Sequence, residues 1–305
     1  MKKSIIKYHL MALGVLLLVA CGGGSSSSSS GGSSASSATN CQTKAVTLSS
    51  GLPPGMAAMA AMSSSYITSV AVSGSNVVIV TKDVPNHPSP YCPTSSSVNT
   101  VAGCTNEAQS LSSPNYYNNL LFGSTNYAQN PSFIAVGTSN SQASPSTTFK
   151  YTLTLPLQPT CASSSTDTSL DAIGAASNGI VFFNQYAAGN AVLTGEVAGF
   201  DRFGGHPAQS GNYHYHMEPR YLTTTTIGGN LSGSQSALIG WALDGFPIYG
   251  PTNSSGAAVS LDACHGEYHA TTEYPAGIYH YHVGNSSPYI VGCYAGTPGT
   301  KVLTP

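Results

Sequence analysis

Charged side chains are scarce in this sequence. Only 7% of the 305 residues are Asp, Glu, Lys or Arg, and the formal net charge is −2, whereas soluble domains usually contain about 25% charged residues. The chain has no basic cluster to neutralise phosphates, so we expect no nucleic-acid partner. Ser, Thr, Asn, Gly and Tyr replace the charges, which is typical of extracellular β-rich proteins and unfavourable for long surface helices.

Common catalytic motifs are missing as well. The sequence contains no Gly-x-Ser-x-Gly, Walker loop, Gly-x-Gly-x-x-Gly or His-Glu-x-x-His, so it carries no standard hydrolase, nucleotide-binding or metalloprotease signature. It also lacks Cys-x-x-Cys, which argues against a zinc site built from thiolates.

The N-terminus has the features of an export signal. Three lysines within the first seven residues precede the apolar stretch 11–20, which is too short for a permanent membrane helix. It ends in Leu18-Val19-Ala20-Cys21, which resembles a bacterial lipobox and predicts cleavage before Cys21 and lipidation of that cysteine. The alternative is an ordinary secretory signal with a fortuitous cysteine. Because Gly22 follows the cysteine, we expect an outer-membrane lipoprotein of the cell envelope, anchored in the membrane by its lipid and facing the periplasm or the cell surface.

Residues 22–39 are almost entirely Ser and Gly. Such a segment cannot bury apolar surface, so we expect it to serve as a flexible tether. The predicted organisation is a lipoprotein signal peptide over 1–20, a lipid-anchored linker over 21–40 and one β domain over 41–305.

Six cysteines remain if Cys21 carries lipid: Cys41, Cys92, Cys104, Cys161, Cys264 and Cys293. An even number in an oxidising compartment predicts up to three disulfides. The pairs Cys92–Cys104 and Cys264–Cys293 each close a short loop, and we predict both.

Short β-branched or alternating runs, separated by turn residues, dominate the region after residue 41. Residues 66–72 and 76–82 flank Ser-Gly-Ser and predict a hairpin, and the Ala- and Met-rich residues 56–62 predict a short helix. Further strands are predicted at 148–155, 180–183, 191–198 and 236–243. This pattern predicts an all-β fold, a single sandwich or barrel-like domain of short strands with long loops.

Histidines concentrate late in the chain. Seven of the nine fall between positions 206 and 282: His206, His214, His216, His265, His269, His280 and His282. Four of them belong to two copies of Gly-x-Tyr-His-Tyr-His, at 211–216 and 277–282. Because strand side chains alternate between faces, each copy places two imidazoles on one face and two phenols on the other.

If the two strands share a sheet or face each other, four imidazoles converge on a metal site. His206 is a further candidate ligand, and His265 or His269 is a candidate on the side of the second strand. Imidazole suits copper and zinc, whereas calcium and magnesium need more carboxylates than this region offers. The alternative is a metal-free polar ladder of histidine and tyrosine.

Several residues are candidates to support such a site. Asp244 could orient an imidazole or form an Asx-turn. Tyr213, Tyr279 and Tyr249 are candidate hydrogen-bond partners of the ligands, although the interleaved tyrosines could equally pack the opposite face.

The blocks 204–207, 211–216, 237–250 and 274–282 resemble the YHYH-domain family, and residues 84–88 and 173–184 resemble earlier blocks of the same family. The resemblance covers about residues 66–296 and implies one domain in a secreted or surface-anchored protein. It adds His87 to the candidate metal ligands. The family implies no particular activity.

Three functions are compatible with these features. The first is a surface-anchored lipoprotein that handles or senses copper or zinc. The second is a metal-dependent extracellular enzyme, either a hydrolase or a copper oxidoreductase. The third is a metal-free structural or interaction module in which the histidines serve only as scaffold.

Overall fold

The computed structural model describes residues 40–42, 51–62, 64–89, 91–92, 105–106, 149–193, 196, 200–201, 203–208, 210–223, 234, 236–284 and 286–305. The predicted signal peptide, the lipidation site Cys21 and nearly all of the predicted linker lie outside these residues. The described residues all fall within a compact unit that spans 36–305, and the predicted domain boundaries remain predictions.

Within the described residues, strands greatly outnumber helices. The helices are α1 (Met56–Ala60) and α2 (Arg220–Thr223), with a 3-10 turn at Ala188–Asn190. The strands are β1 (Ile67–Ser73), β2 (Asn76–Thr81), β3 (Pro88–Ser89), β4 (Thr105–Asn106), β5 (Lys150–Pro156), β6 (Cys161–Asp167), β7 (Ala172–Ala176), β8 (Val181–Phe183), β9 (Tyr186–Ala187), β10 (Ala191–Val192), β11 (Gly205–Pro207), β12 (Tyr213–Tyr215), β13 (Leu238–Ala242), β14 (Pro247–Tyr249), β15 (Gly266–His269), β16 (Ile278–His282), β17 (Cys293–Gly296) and β18 (Thr300–Thr304).

A four-stranded antiparallel sheet, in the order β1-β2-β5-β18, forms one layer. Its first two strands are the predicted hairpin, and Gly74 in the connecting turn adopts a positive φ of 61°. Strands β2 and β5 bury alternate side chains, as expected for strands with one face on a core.

An eight-stranded mixed sheet, in the order β11-β12-β8-β7-β13-β14-β16-β15, forms the second layer. Its two halves repeat one another. In chain order, the first half consists of β7, β8, β11 and β12, and the second half consists of β13, β14, β15 and β16. In each half, the first two of these strands form an antiparallel hairpin and the fourth strand pairs parallel with the second. The third strand pairs antiparallel with the fourth and lies at the outer edge. The halves meet through the antiparallel pair β7–β13.

One hydrophobic core joins the two layers. Ile79 and Leu153 of the four-stranded sheet belong to the same buried cluster as Ile173, Trp241 and Tyr281 of the eight-stranded sheet. Two sheets that share a core in this way form a sandwich-like arrangement. The predicted all-β fold is therefore confirmed, and among the described strands no sheet closes into a barrel.

Disulfides join segments that lie apart in the sequence. Cys264–Cys293 is present, as predicted, and a second bridge joins Cys41 to Cys161. Cys92 is also disulfide-bonded. Its predicted partner, Cys104, lies outside the described residues, so that pairing remains a prediction. No helix in the described part of the chain is long and apolar enough to cross a membrane.

Candidate metal centres

The two Tyr-His-Tyr-His segments lie in one sheet but not side by side. The segment ending in β12 and the segment in β16 are separated by the four strands β8, β7, β13 and β14. Five strand spacings of about 4.8 Å place them about 24 Å apart. The expected convergence of four imidazoles on one ion is therefore wrong, and each segment belongs to its own histidine group.

The first histidine group consists of His206, His214 and His216. His206 lies on edge strand β11 and pairs directly with His214 on β12, and His216 follows two residues later on the same face. One ring nitrogen from each of the three falls within 4.8 Å of the others, and all three side chains are buried. The Nε2 atoms of His214 and His216 are 3.1 Å apart.

Backbone carbonyl groups fix the tautomers of two of these rings. His214 Nδ1 lies 3.1 Å from the carbonyl oxygen of Asn212, and His216 Nδ1 lies 2.8 Å from that of Asn184. A carbonyl oxygen can only accept, so each Nδ1 carries the hydrogen and each neutral ring has a bare lone pair at Nε2. Two lone pairs therefore face each other across 3.1 Å, where they cannot hydrogen-bond to one another. A cation between them removes this repulsion, and tetrahedral zinc ligands, at about 2.0–2.1 Å from the ion, lie about 3.4 Å from one another.

The second group consists of Glu267, His280 and His282, and its donor atoms also lie within 4.8 Å of one another. Glu267 Oε1 is 3.6 Å from His280 Nε2 and 3.3 Å from His282 Nε2. The tautomers are again fixed, because Nδ1 of His280 donates to the carbonyl of Ile278 (2.9 Å) and Nδ1 of His282 donates to that of Gly250 (2.6 Å). Two bare nitrogens and a carboxylate oxygen thus converge without a proton between them.

Burial keeps these rings neutral. It lowers the pKa of His206 and of His214 well below the usual imidazole value, and neighbouring imidazoles lower both further. Burial also lowers the pKa of His216 and of His280 to about 4. The pKa of His282 is lowered by burial, against the opposing effects of the Gly250 carbonyl and of Glu267. At neutral pH the rings therefore present lone pairs, which is the form that binds a metal ion.

The predicted supporting tyrosines contact the turns that lead to His206 in the first group and to Glu267 in the second. Tyr213 donates to Asp201 Oδ2 (2.6 Å), and Asp201 Oδ1 accepts from the backbone N–H of Phe203, in the turn that leads to His206. In the second group, Tyr279 donates to Asp262, at 3.0 Å from Oδ2. Neither tyrosine hydrogen-bonds a histidine. Both phenol rings lie in the core, on the face opposite the imidazoles.

Other predicted site residues lie outside the two groups. His87 is buried and its Nε2 lies 3.0 Å from the Tyr215 hydroxyl, so the structure does not bring it to either histidine group. Asp244 forms the Asx-turn, with Oδ1 accepting from the N–H of Phe246, and its Oδ2 accepts from Tyr281 rather than from an imidazole.

Two further candidates surround the second group. The ring centroid of Tyr249 lies 5.0 Å from that of His280, and its hydroxyl contacts Thr271 and Glu273. His265 has a positive φ of 74° and its ring lies against Gly284. The structure brings Glu267, two residues later, to the place where a ligand from this segment was expected.

Two carboxylates were missed as site residues. The sequence does contain a pattern that points to Glu267. The segments Asp201-Arg-Phe-Gly-Gly-His206 and Asp262-Ala-Cys-His-Gly-Glu267 align with Asp and Gly at matching positions, which places Glu267 opposite His206 in the alignment. Glu196 has no comparable signal. Its Oε2 lies 3.7 Å from Nε2 of both His206 and His216, and burial raises the pKa of this carboxyl group.

The two groups differ in the space beside them. The first group and Glu196 line a cavity of about 440 Å³, together with the aromatic side chains of Phe183 and Tyr186. The second group lines a cleft of only about 50 Å³. Ligand pockets usually measure about 300–1,000 Å³, so the first group alone adjoins a space that can admit a small molecule.

Comparison with known proteins supports the sequence resemblance. Residues 152–259 and 252–296 match the family model described as YHYH protein. The matched region begins after the β1–β2 hairpin, later than the resemblance noted from about residue 66. No curated protein and no solved structure matches the chain significantly. The matched residues contain both histidine groups, and residues 152–296 of this chain form a region of the YHYH protein family.

Proposed function

We propose that this protein is a cell-envelope lipoprotein that binds copper or zinc at two sites, the first histidine group and the second group, and that it serves in metal handling or sensing. The observation that carries the proposal is the arrangement of Nε2 atoms. Four rings have their hydrogen fixed on Nδ1 by a carbonyl, and their bare nitrogens converge on one another or on a carboxylate. A metal-free polar ladder would place a hydrogen between such neighbours, because buried polar groups are normally hydrogen-bonded.

Elemental analysis of the purified full chain tests the proposal. We expect two equivalents of zinc or copper, removed by a chelator and regained on dialysis. His214→Gln and His280→Gln should each bind one equivalent, and the double variant none. His87→Gln is the matched control, since His87 is buried but lies in neither group, and it should keep both ions. Retention of two equivalents by the double variant, or no metal in the wild type, would leave the histidines as scaffold only.

Thermal unfolding gives an independent measure of the same binding. A site exposed to free metal at about 100 times its Kd stabilises the folded state by about 2.7 kcal/mol. For a domain of this size, 1 kcal/mol raises Tm by about 2–4 °C. Each site should therefore contribute about 5–10 °C. The glutamine variants should lose that increment one site at a time.

The lipid anchor is a separate part of the proposal, supported by the lipobox-like residues 18–21 and the Ser/Gly segment that follows. Cell fractionation with a fatty-acid label tests it. The wild-type chain should incorporate label and sediment with membranes, and Cys21→Ala should do neither. Unlabelled wild-type protein in the soluble fraction would indicate an ordinary secretory signal.

A second candidate function is metal-dependent hydrolysis at the first group, favoured by the 440 Å³ cavity beside it. A catalytic zinc site keeps a coordination position open for water, and such water loses a proton near neutral pH. The zinc-loaded chain should then hydrolyse a neutral activated ester. His214→Gln should abolish this turnover and His280→Gln should preserve it. Equal rates in the two variants would assign the turnover to something other than the first group.

A further inference from the structure

The two halves of the eight-stranded sheet correspond residue by residue. Ala172–Ala176 and Val181–Phe183 in the first half match Leu238–Ala242 and Pro247–Tyr249 in the second, with a constant offset of 66 positions. Both halves then place their third strand at the sheet edge and their fourth strand beside the second. A sheet order this specific, used twice in succession, indicates a duplicated unit.

The two halves meet in the strand pair β7–β13, and the residues of this pair are arranged symmetrically. In the pair β7–β13, Ala175 is opposite Trp241, with Gly174 opposite Ala242 and Ala176 opposite Gly240. A Cβ on Gly174 would lie 2.4 Å from the carbonyl oxygen of Trp241, and a Cβ on Gly240 would lie 2.4 Å from that of Ala175. Each half therefore supplies an equivalent glycine at the point where the two backbones come closest.

The hydrogen bonds that build the sites also correspond. Asn184 in the first half and Gly250 in the second, again 66 positions apart, offer the carbonyl groups that hold His216 and His282. In each half, a tyrosine of the fourth strand also hydrogen-bonds a residue in the turn between the first two strands. Tyr215 accepts from Asn178 in the first half, and Tyr281 donates to Asp244 in the second half.

The turns that precede the third strand of each half also have corresponding backbone conformations and hydrogen bonds. Gly204 and His265 both have a positive φ, of 87° and 74°, and their carbonyl groups accept from the N–H of His216 and of His282 respectively. At this point the offset is 61 rather than 66. The first half has a longer segment before its third strand, and Glu196 lies in that segment.

At one position the two copies differ in a way that changes metal chemistry. On the third strand of the first half, His206 is paired with His214. On the third strand of the second half, Glu267 is paired with His280 in the same register. The first site is therefore built from three neutral imidazoles, and the second from two imidazoles and a carboxylate.

We infer that the two groups are diverged copies of one metal site, and that His206 gives the first group a stronger selectivity for copper over hard divalent ions such as manganese(II), whereas Glu267 shifts the selectivity of the second group toward those harder ions. This inference rests on the proposed metal binding. Carboxylate oxygen favours hard ions, and two histidines with one carboxylate are a known ligand set for divalent iron, whereas imidazole alone suits copper and zinc. Glu196 Oε2 lies 3.7 Å from Nε2 of both His206 and His216, but the three imidazole donors lie within 4.8 Å of one another without it, so the first group offers three imidazoles where the second offers two.

Single-site versions of the full chain allow each preference to be measured. His280→Gln leaves the first group, and His214→Gln leaves the second. Copper(I) affinity is measured by competition with bicinchoninate in the presence of ascorbate. Manganese(II) affinity is measured from the electron paramagnetic resonance signal of the free ion. The ratio of copper(I) to manganese(II) affinity should be at least about tenfold higher for the first group.

Exchanging the differing residue is the decisive step. His206→Glu in the first-group protein should lower the ratio, and Glu267→His in the second-group protein should raise it, each by about tenfold. Equal ratios in the two single-site proteins, or ratios that the exchange leaves unchanged, would overturn the inference while leaving metal binding intact. Absence of both copper and zinc from every protein, the wild type included, would instead refute the proposed function.

X-ray absorption of the unmodified chain removes any dependence on how the variants fold. Wild-type protein loaded with one equivalent of copper(I) should show a first shell of imidazole nitrogens only, with three histidine ligands. A shell of two histidines and one oxygen would place copper in the second group and contradict the assigned preference.

Discussion

Removal of the Tyr213 hydroxyl tests whether a buried tyrosine–carboxylate pair holds the turn that carries His206. Tyr213 is fully buried and donates to Asp201 Oδ2 at 2.6 Å, and Asp201 is 4% exposed. The matching substitution in the second half, Tyr279→Phe, removes a longer bond of 3.0 Å to Asp262, which is half-buried and reached by water. The two substitutions therefore remove corresponding hydrogen bonds that differ mainly in how deeply the accepting carboxylate is buried.

The expected costs follow from these surroundings. Burial raises the pKa of Asp201 to about 6, so the group is ionised at pH 8, and a hydrogen bond to a charged group contributes about 1.5–3 kcal/mol. Ser89 also donates to Oδ2, at 2.8 Å, so the carboxylate keeps one partner there and we expect a loss of about 2 kcal/mol for Tyr213→Phe. Water can replace the hydroxyl at Asp262, and Tyr279→Phe should cost about 1 kcal/mol or less.

Urea unfolding of both variants at pH 8 and pH 5 checks the reasoning. At pH 5 Asp201 is largely protonated in the folded state, so the bond from Tyr213 becomes neutral and its loss should cost less than at pH 8. Copper or zinc affinity of the first group should fall in Tyr213→Phe while that of the second group stays unchanged. Equal destabilisation by the two substitutions, or a cost for Tyr213→Phe that is the same at both pH values, would refute this account of the turn.

Three further outcomes follow from the same contacts. Because the pKa of His280 is about 4 in the folded protein and about 6.5 in an unfolded chain, the unfolded state binds more protons between these values. The metal-free wild type should therefore lose up to about 3 kcal/mol relative to His280→Gln as the pH falls from 6.5 to 4, measured by urea unfolding; parallel pH profiles would contradict this. Gly240→Ala should destabilise the fold by about 2–3 kcal/mol because its Cβ would meet backbone at 2.4 Å, whereas Gly51→Ala, with no atom within 4 Å, should stay within about 0.5 kcal/mol. Replacing Cys264 and Cys293 together by alanine should cost about 2–4 kcal/mol and weaken metal binding at the second group but not at the first, as isothermal titration would show; a loss at both groups would mean that the bridge supports the whole sheet.

Local patterns predicted the local structure well. The Ser-Gly-Ser turn between two β-branched runs is the β1–β2 hairpin, and the alternation in Tyr-His-Tyr-His does put imidazoles and phenols on opposite faces. These features depend on residues within a few positions of one another. Sequence alone can therefore reveal them.

The arrangement of the two histidine strands depends instead on long-range pairing. Each pairs in parallel with a strand more than 30 residues earlier in the chain, and no local pattern specifies that choice. The sequence offers His265 or His269 as the candidate on this side, whereas the structure places Glu267 beside the two histidines, and the left-handed backbone at His265 takes that residue out of the strand alternation. Glu196 reaches the first group from a segment without periodicity, so its role could be seen only in three dimensions.

The carbonyl groups that hold Nδ1–H in four of the rings have a consequence for the heat of metal uptake. At neutral pH the nitrogens proposed to coordinate already lack a proton, so an ion entering either group would displace no hydrogen ion from these rings. Calorimetric titrations in buffers with different ionisation enthalpies should then give the same enthalpy of binding. Most metal sites bind in competition with protons, whereas here the protein completes deprotonation when it folds.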